Sequence, residues 1–184
     1  MMTKYRNLHR LISKYKLVLA SGSPRRVQLL KEAGIDFRQI IPHIDESDDK
    51  QLPPYEMALI LSEKKARAVS DKIHHDEVVI GCDTIVVYGN KVLGKPASEK
   101  EAETMLTMLS GQKHTVCSAV SYYSRSGKLE GGYELADVYF KKVPAGKIRE
   151  YVLTGEPLDK AGAYGIQDRG VFLVDRVVGN IDNV

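Results

Sequence analysis

The sequence predicts an α/β fold built on a mixed sheet. Strand-like and helix-like segments alternate along most of its 184 residues, and two long β-prone runs are joined by a short turn, which a purely parallel sheet does not contain. The composition, 43% hydrophobic and 28% charged, is that of a folded domain rather than a disordered chain. Mean hydropathy is −0.26. No apolar run approaches the roughly 18 residues of a membrane span, so no membrane partner is expected.

The elements follow in order. Residues 1–15 are a basic N-terminal extension, with Leu8, Leu11 and Ile12 spaced like one helical face. No long apolar core or small-residue cleavage site marks it for secretion, so a cytoplasmic protein is expected. Residues 16–184 are expected to form a single domain. Lys16–Ala20 is a β-prone run that stops at Ser21-Gly22-Ser23-Pro24. A helix should follow, with Ser23 at the N-cap, Pro24 in the first position and Gly34 past the end. Val27, Leu29, Leu30 and Ala33 give it an apolar face. Phe37–Ile41 reads as a strand, His43–Lys50 as an acidic loop and Pro53–Val69 as an amphipathic helix.

Glu77–Tyr88 is apolar and β-branched, and Lys91–Leu93 returns after the turn at Gly89-Asn90. Ser98 and Glu101 form a capping box that opens a helix to Leu109. Lys113–Ser124 and Lys128–Phe140 are long strands joined at Ser126-Gly127. Pro144–Leu153 is a helix closed by Gly155. Residues 155–170 are a glycine-rich loop or short helix, and Gly170–Val178 is a final strand.

Charge is unevenly distributed. Residues 1–31 hold eight Lys or Arg and no acidic residue, so the overall +3 leaves a balance of −5 in the remainder. The chain as a whole is therefore no basic nucleic-acid binder, and nucleic acid is not expected as a partner. Cys82 and Cys117 lie in apolar segments, which fits a reducing compartment rather than a disulfide scaffold. The five histidines lack zinc spacing.

Two constellations carry chemistry. At Ser21–Arg26 a strand, a turn and a helix N-terminus meet, a place suited to an anion. Arg25 and Arg26 in the first helical turn oppose the macrodipole at about 0.3–1 kcal/mol each. A bound phosphate, or carboxylates on the protein's own surface, would offset that repulsion, and arginine's planar fork matches phosphate oxygens. The second constellation is Asp83-Thr84. A carboxylate inside a buried strand is costly unless paired or metal-bound. Three explanations stand: a catalytic or metal-binding group, a bulge permitted by Gly81, or a structural aspartate bonded to backbone N–H groups. Among Asp45, Glu46, Asp48 and Asp49, the first two are the better candidates for a hard cation such as Mg²⁺. Lys65 lies late on its helix, and Lys95 sits in Gly94-Lys95-Pro96. Glu156, Asp159, Lys160 and Gln167 crowd the glycine-rich segment. Tyr164 and Gln167 could frame a planar base, although core packing explains the tyrosine equally well.

These segments closely resemble the Maf family of nucleoside triphosphate pyrophosphatases. The matching pieces are LASGSPRRVQLL (19–30), SEKKARAV (62–69), GCDTIVVYGNKVLGKP (81–96), SGQKHTVCSAV (110–120) and TGEPLDKAGAYGIQDRG (154–170). The resemblance covers about Lys16 to Val184. The resemblance implies a two-lobed α/β fold around an elongated mixed sheet, related to the inosine-triphosphate pyrophosphatases, with the active-site cleft between the lobes. It implies cleavage of a nucleoside triphosphate between the α- and β-phosphates, a divalent metal (Mg²⁺ or Mn²⁺), a homodimer and a link to septum formation.

By the same resemblance, Asp83 is the proton acceptor; the clustering of acidic and cationic motifs makes it a candidate metal ligand too, with Glu46 a further candidate ligand. Ser21, Ser23, Arg25, Arg26, Lys65 and Lys95 bind the phosphates. Arg25, Thr84 and Gln167 fall at the positions that sort substrates, and the trio resembles the dTTP/UTP subgroup. The chain departs from the family pattern in four places. Cys82 replaces an alanine, Asp168 stands where glycine is common, a short Gly-Leu-Pro ending is absent, and the N-terminal extension is unusual. Two other functions compete: a non-catalytic nucleotide or nucleic-acid binding regulator of cell division, and a sugar- or inositol-phosphate phosphatase.

Overall fold

A computed structural model describes residues 15–45, 52–127, 129–167 and 169–184. Nearly all of the N-terminal extension, Glu46, Asp48, Asp49 and Asp168 lie outside the described residues. Among the described residues, seven strands and four α-helices follow one another: β1 (Lys16–Ala20), α1 (Pro24–Glu32), β2 (Phe37–Ile40), α2 (Pro54–Arg67), β3 (Glu77–Tyr88), β4 (Lys91–Leu93), α3 (Glu99–Leu109), β5 (Lys113–Ser124), β6 (Leu129–Phe140), α4 (Ala145–Val152) and β7 (Val174–Val178). The sheet order is β2-β1-β3-β5-β6-β7, with β4 paired to β3. β1 runs parallel to both β2 and β3, while β3–β4 and β6–β7 are antiparallel, so the expected mixed α/β sheet is what forms. Among the described residues no helix is long and apolar enough to cross a membrane.

The fold divides into two compact units, the first running to Asp83 with Ala119–Gly132 added, the second comprising Thr84–Ser118 and Tyr133–Val184. In the first unit the parallel strands need helical crossovers, which α1 and α2 supply. Leu17 and Ile80 pack with Leu30, Ala33 and Ile35 at the α1 end, whereas Val18, Ala20 and Val79 pack with Ala66 and Val69 of the α2 segment. Alternation along the strands thus feeds both faces of the sheet, as parallel strands require. Arg38 of β2 grips the buried Glu77 of β3 with two bonds of 3.0 and 2.7 Å, and this pairing holds the Glu77 carboxyl below its usual range. The α1 apolar face is shallower than its sequence suggests, since no residue of that helix is fully buried.

The second unit has an apolar core built from residues of α3, α4, β5, β6 and β7, with Val86 of β3 and Leu93 of β4. The α3 capping box forms in a modified version. Ser98 Oγ accepts the Glu101 N–H at 3.2 Å, but the Glu101 carboxylate accepts from Ala97 N–H at 2.7 Å, one residue earlier than the standard motif. The expected strand Gly170–Val178 is corrected. Arg169–Leu173 is a 3₁₀ turn, and the strand starts at Val174, opposite Phe140. A Cβ on Gly170 would stand 2.5 Å from the Gly165 carbonyl oxygen and 2.7 Å from Tyr151 Oη. The glycine is thus used for backbone-to-backbone packing in a turn, not for extension.

Candidate active site

The β1–α1 turn follows from the register of the first unit. Ala20, the last residue of β1, pairs with Gly81 of β3. Beyond that pair β1 turns away at Ser21 while β3 runs on through Cys82 and Asp83, so both motifs emerge at the same carboxyl edge of the parallel strands. From β1 the chain crosses first to β2 on one side, and later to β3 on the other. A reversal of this kind is a topological switch point, where open α/β sheets characteristically bind ligands.

The turn is held from three directions. Gln39 of β2 donates from Nε2 to the Ser21 carbonyl at 2.7 Å. Ser21 Oγ, itself buried, accepts the Ser23 N–H at 3.2 Å and Arg26 Nη1 at 3.1 Å. Arg26 Nη1 also donates to the Cys82 carbonyl at 2.8 Å, tying the first turn of α1 to the peptide before Asp83. Ser23 occupies the N-cap position as expected, but its hydroxyl makes no capping bond; Ser21 Oγ takes the local N–H instead. No acidic side chain lies in the first turn of α1. The N-terminal end of this helix, carrying Arg25 and Arg26, is therefore left positive by its own turn.

Asp83 lies on the same face of β3 as Val79 and Gly81, the face covered by α2. A Cβ on Gly81 would stand 2.1 Å from the Ser62 carbonyl oxygen and 2.7 Å from the Ala66 amide. Gly81 thus serves the close approach of a helix, and β3 pairs with β1 in unbroken register as far as this residue. That approach brings Lys65, between Ser62 and Ala66 in sequence, onto Asp83. Lys65 Nζ donates to Asp83 Oδ1 at 2.5 Å, and the two side chains are only 16% and 11% exposed. Such a charge-assisted bond answers the cost of a carboxylate within the strand. Burial pushes the neighbouring Cys82 thiol up, away from the reactive thiolate form.

The structure therefore brings Ser21, Arg26, Lys65 and Asp83 together, with Ser23 and Arg25 in the same turn. Thr84, Lys95 and Gln167 belong to the second unit. Alternation puts Thr84 on the opposite face of β3 from Asp83, and its hydroxyl lies 3.2 Å from that of Ser118. Lys95 is exposed between β4 and α3. Gln167 donates from Nε2 to the Val184 carbonyl at 2.5 Å. Tyr164 is core rather than a base-stacking platform. It is 6% exposed and packs edge-on against Phe140 and His114, with its hydroxyl 2.7 Å from His114 Nε2. A cavity of about 500 Å³ in the second unit, lined by Thr107, Gln112, Lys142 and Ile148 among others, includes the start of the 110–120 motif but none of the candidate site residues.

Two features had no mark in the sequence. Gln39 looks like an ordinary edge-strand polar residue until the register sets it beside Ser21. His114 looks like one more surface histidine until β5 turns it inward.

Among the described residues no three His, Cys, Asp or Glu side chains converge as a metal cage. Asp83 is a single carboxylate, and Mg²⁺ is commonly held by one or two carboxylates together with phosphate oxygens of a substrate. Asp83 could therefore serve as one protein ligand of such an ion, whose remaining ligands would have to come from elsewhere.

A sequence model described as Maf-like protein matches residues 16–184. A dTTP/UTP pyrophosphatase of Geobacillus sp. (strain WCH70) is 44% identical over 169 residues, which cover 92% of this chain and 90% of that protein. A dTTP/UTP pyrophosphatase of Pelotomaculum thermopropionicum is 43% identical over 170 residues, 92% of this chain and 88% of its own. Among solved structures, a HAM1 protein from Coxiella burnetii aligns over 86% of this chain and 91% of its own, at 16% identity and a TM-score of 0.48. With the family pattern running from Lys16 to the last residue, and identity above two-fifths to curated members over nine-tenths of the sequence, the chain belongs to the Maf-like protein family.

Proposed function

We propose that this protein is a nucleoside triphosphate pyrophosphatase that hydrolyses dTTP and UTP to the monophosphate and pyrophosphate. One observation carries the proposal: the Lys65–Asp83 pair stands at the carboxyl edge of the β1–β3 switch point, where the Ser21–Arg26 turn presents a positive helix end. The substrate class comes from the names of the relatives, dTTP/UTP pyrophosphatases at 43–44% identity.

In this mechanism water attacks the α-phosphorus, its proton passes to the Asp83 carboxylate, and the bond to the bridging oxygen of the β-phosphate breaks. Pyrophosphate leaves with the electron pair of that bond. The first-turn N–H groups of α1, the Ser23 hydroxyl and the two arginines receive the phosphate oxygens. Lys65 orients the Asp83 carboxylate and adds positive charge where charge accumulates. Asp83 would hold the divalent ion, Mg²⁺ or Mn²⁺, with Glu46 as the further candidate ligand. The ion would neutralise phosphate charge and make the attacking water more acidic. Thr84 and Gln167 serve base selection and Lys95 the phosphates, on the resemblance alone. The proposal carries with it a homodimeric cytoplasmic enzyme, which sedimentation and cell fractionation test.

The deciding experiment is a nucleotide panel with and without Mg²⁺ or Mn²⁺, scored for pyrophosphate and monophosphate. The wild type should release pyrophosphate from dTTP and UTP. Asp83→Asn should lose turnover while remaining folded, although less stable, because Lys65 loses its counter-charge. Full activity in Asp83→Asn refutes the assignment. Orthophosphate release favours a phosphatase, and salt-dependent DNA binding without turnover favours a regulator.

A further inference from the structure

The face that α2 turns to the sheet is made of Met57, Ala58, Leu61, Ser62 and Ala66, apolar except for one residue. That residue is fully buried, and so is Ser121 of β5. Their hydroxyl oxygens lie 2.5 Å apart, and Ser62 Oγ also donates to the Leu59 carbonyl at 2.7 Å. Each serine has one proton to give. With the Ser62 proton on Leu59, the direction of the chain is determined: Ser121 donates to Ser62, and Ser62 donates to Leu59.

The surroundings leave this chain no freedom. A Cβ on Gly131 of β6 would stand 2.4 Å from Ser121 Oγ and 2.9 Å from Leu59 Cδ1, so backbone closes over the hydroxyl. On the other side the Ser62 carbonyl is pressed against Gly81, where a Cβ would lie 2.1 Å away. Two alanines would bury comparable apolar surface, but that attraction has no direction and would hold the helix equally well slightly shifted along the sheet. A paired hydroxyl inside an apolar face admits one position. Lys65 is three residues beyond Ser62, on the same side of the helix. The position that satisfies Ser121 is therefore also the one that places Lys65 on Asp83.

We propose that Ser121 and Ser62 are positioning residues for the catalytic pair: their hydroxyl chain sets the height of α2 on the sheet and thereby the 2.5 Å contact of Lys65 with Asp83. The inference rests on the pyrophosphatase function proposed above. Ser121→Ala tests it, because Ser62 keeps its own acceptor on Leu59 and the change removes one atom. Pyrophosphate release from dTTP and thermal unfolding are measured for Ser121→Ala, Lys65→Met and the double variant. Ser121→Ala should lower kcat/KM by about 10-fold in the wild-type background, since small misplacements of catalytic groups are costly. It should cause no further loss in Lys65→Met, where nothing remains to be positioned, while its Tm cost is the same in both backgrounds. An unchanged kcat/KM in an active wild-type background, or an equal fold-loss in both backgrounds, overturns the positioning role alone. A wild type that releases no pyrophosphate overturns the proposed function and this inference with it. If Ser121→Ala does not fold, Ser121→Cys carries the same comparison.

Discussion

His114 should make the protein sensitive to mild acid. Its ring is 1% exposed, Nε2 lies 2.7 Å from Tyr164 Oη, and Nδ1 has no hydrogen-bond partner. Phe140 packs against it edge-on at 4.8 Å. Burial pulls the imidazole pKa down from 6.5 to about 4, with Asp137 opposing the shift. The sign follows from proton counting. Above pH 6.5 the ring is neutral in both folded and unfolded chains and contributes nothing to pH dependence. Between 6.5 and 4 the unfolded chain binds a proton that the folded chain does not, so stability falls with pH. Below about 4 both states are protonated and the loss levels off. The full shift corresponds to about 3 kcal/mol, of which about 2 kcal/mol is lost by pH 5. For a chain of this length that is roughly 4–8 °C in Tm. The assay is thermal unfolding at pH 7 and pH 5 for the wild type and His114→Gln, which cannot titrate. The wild type should lose several degrees more than the variant. Asp76, Glu77 and Asp137, all held below the usual carboxylate range by hydrogen-bonded cations, lose their contributions only in more acidic solution, outside this window. Equal losses in the two proteins, or an imidazole resonance titrating near 6.5, would falsify the account.

Two further outcomes are expected. Gly81→Ala places a methyl 2.1 Å from the Ser62 carbonyl oxygen and 2.7 Å from the Ala66 amide, both backbone atoms that cannot swing aside. The helix must then retreat by about 1 Å, costing about 1–3 kcal/mol in stability and on the order of 100-fold in pyrophosphate release; wild-type activity in this variant contradicts the close-approach role of Gly81. Ser98→Ala removes the cap on the Glu101 N–H and should cost about 1 kcal/mol, or roughly 2–4 °C in Tm, with kcat/KM unchanged; an unshifted Tm shows that the cap is not needed.

Much of the secondary structure was legible because its signals are local. β1, β3 and β4 have the bounds expected from their β-branched runs and flanking turns. Ser98 and Pro24 open helices because capping and a preset φ act within one turn of the chain. The error at Gly170 has the same origin. Val171–Val178 is apolar enough to be extended throughout, but the sequence carries no trace of Gly165 and Tyr151 pressing on Gly170. Gln167 shows what motif reading leaves out: the sequence gives no sign that its amide is bonded to the Val184 carbonyl.

Asp83 marks the division most clearly. By itself the sequence determined that a carboxylate sits inside an apolar strand, that a positive helix start follows the first strand, and that both belong to one family pattern. It left open whether Asp83 was a catalytic or metal-binding group, lay at a bulge or was bonded to backbone N–H groups. The tertiary structure pairs it with Lys65, through the Ala20–Gly81 register and the close approach of α2 at Gly81. It also decided that Arg26 is held by the Cys82 carbonyl, and that His114 is buried with one bare nitrogen. These outcomes depend on distances between segments far apart in the chain. Patterning and capping act over a few residues and dictate which elements form. Which side chains meet depends on register and on how closely a helix can approach a strand, and those are set only when the sheet is assembled.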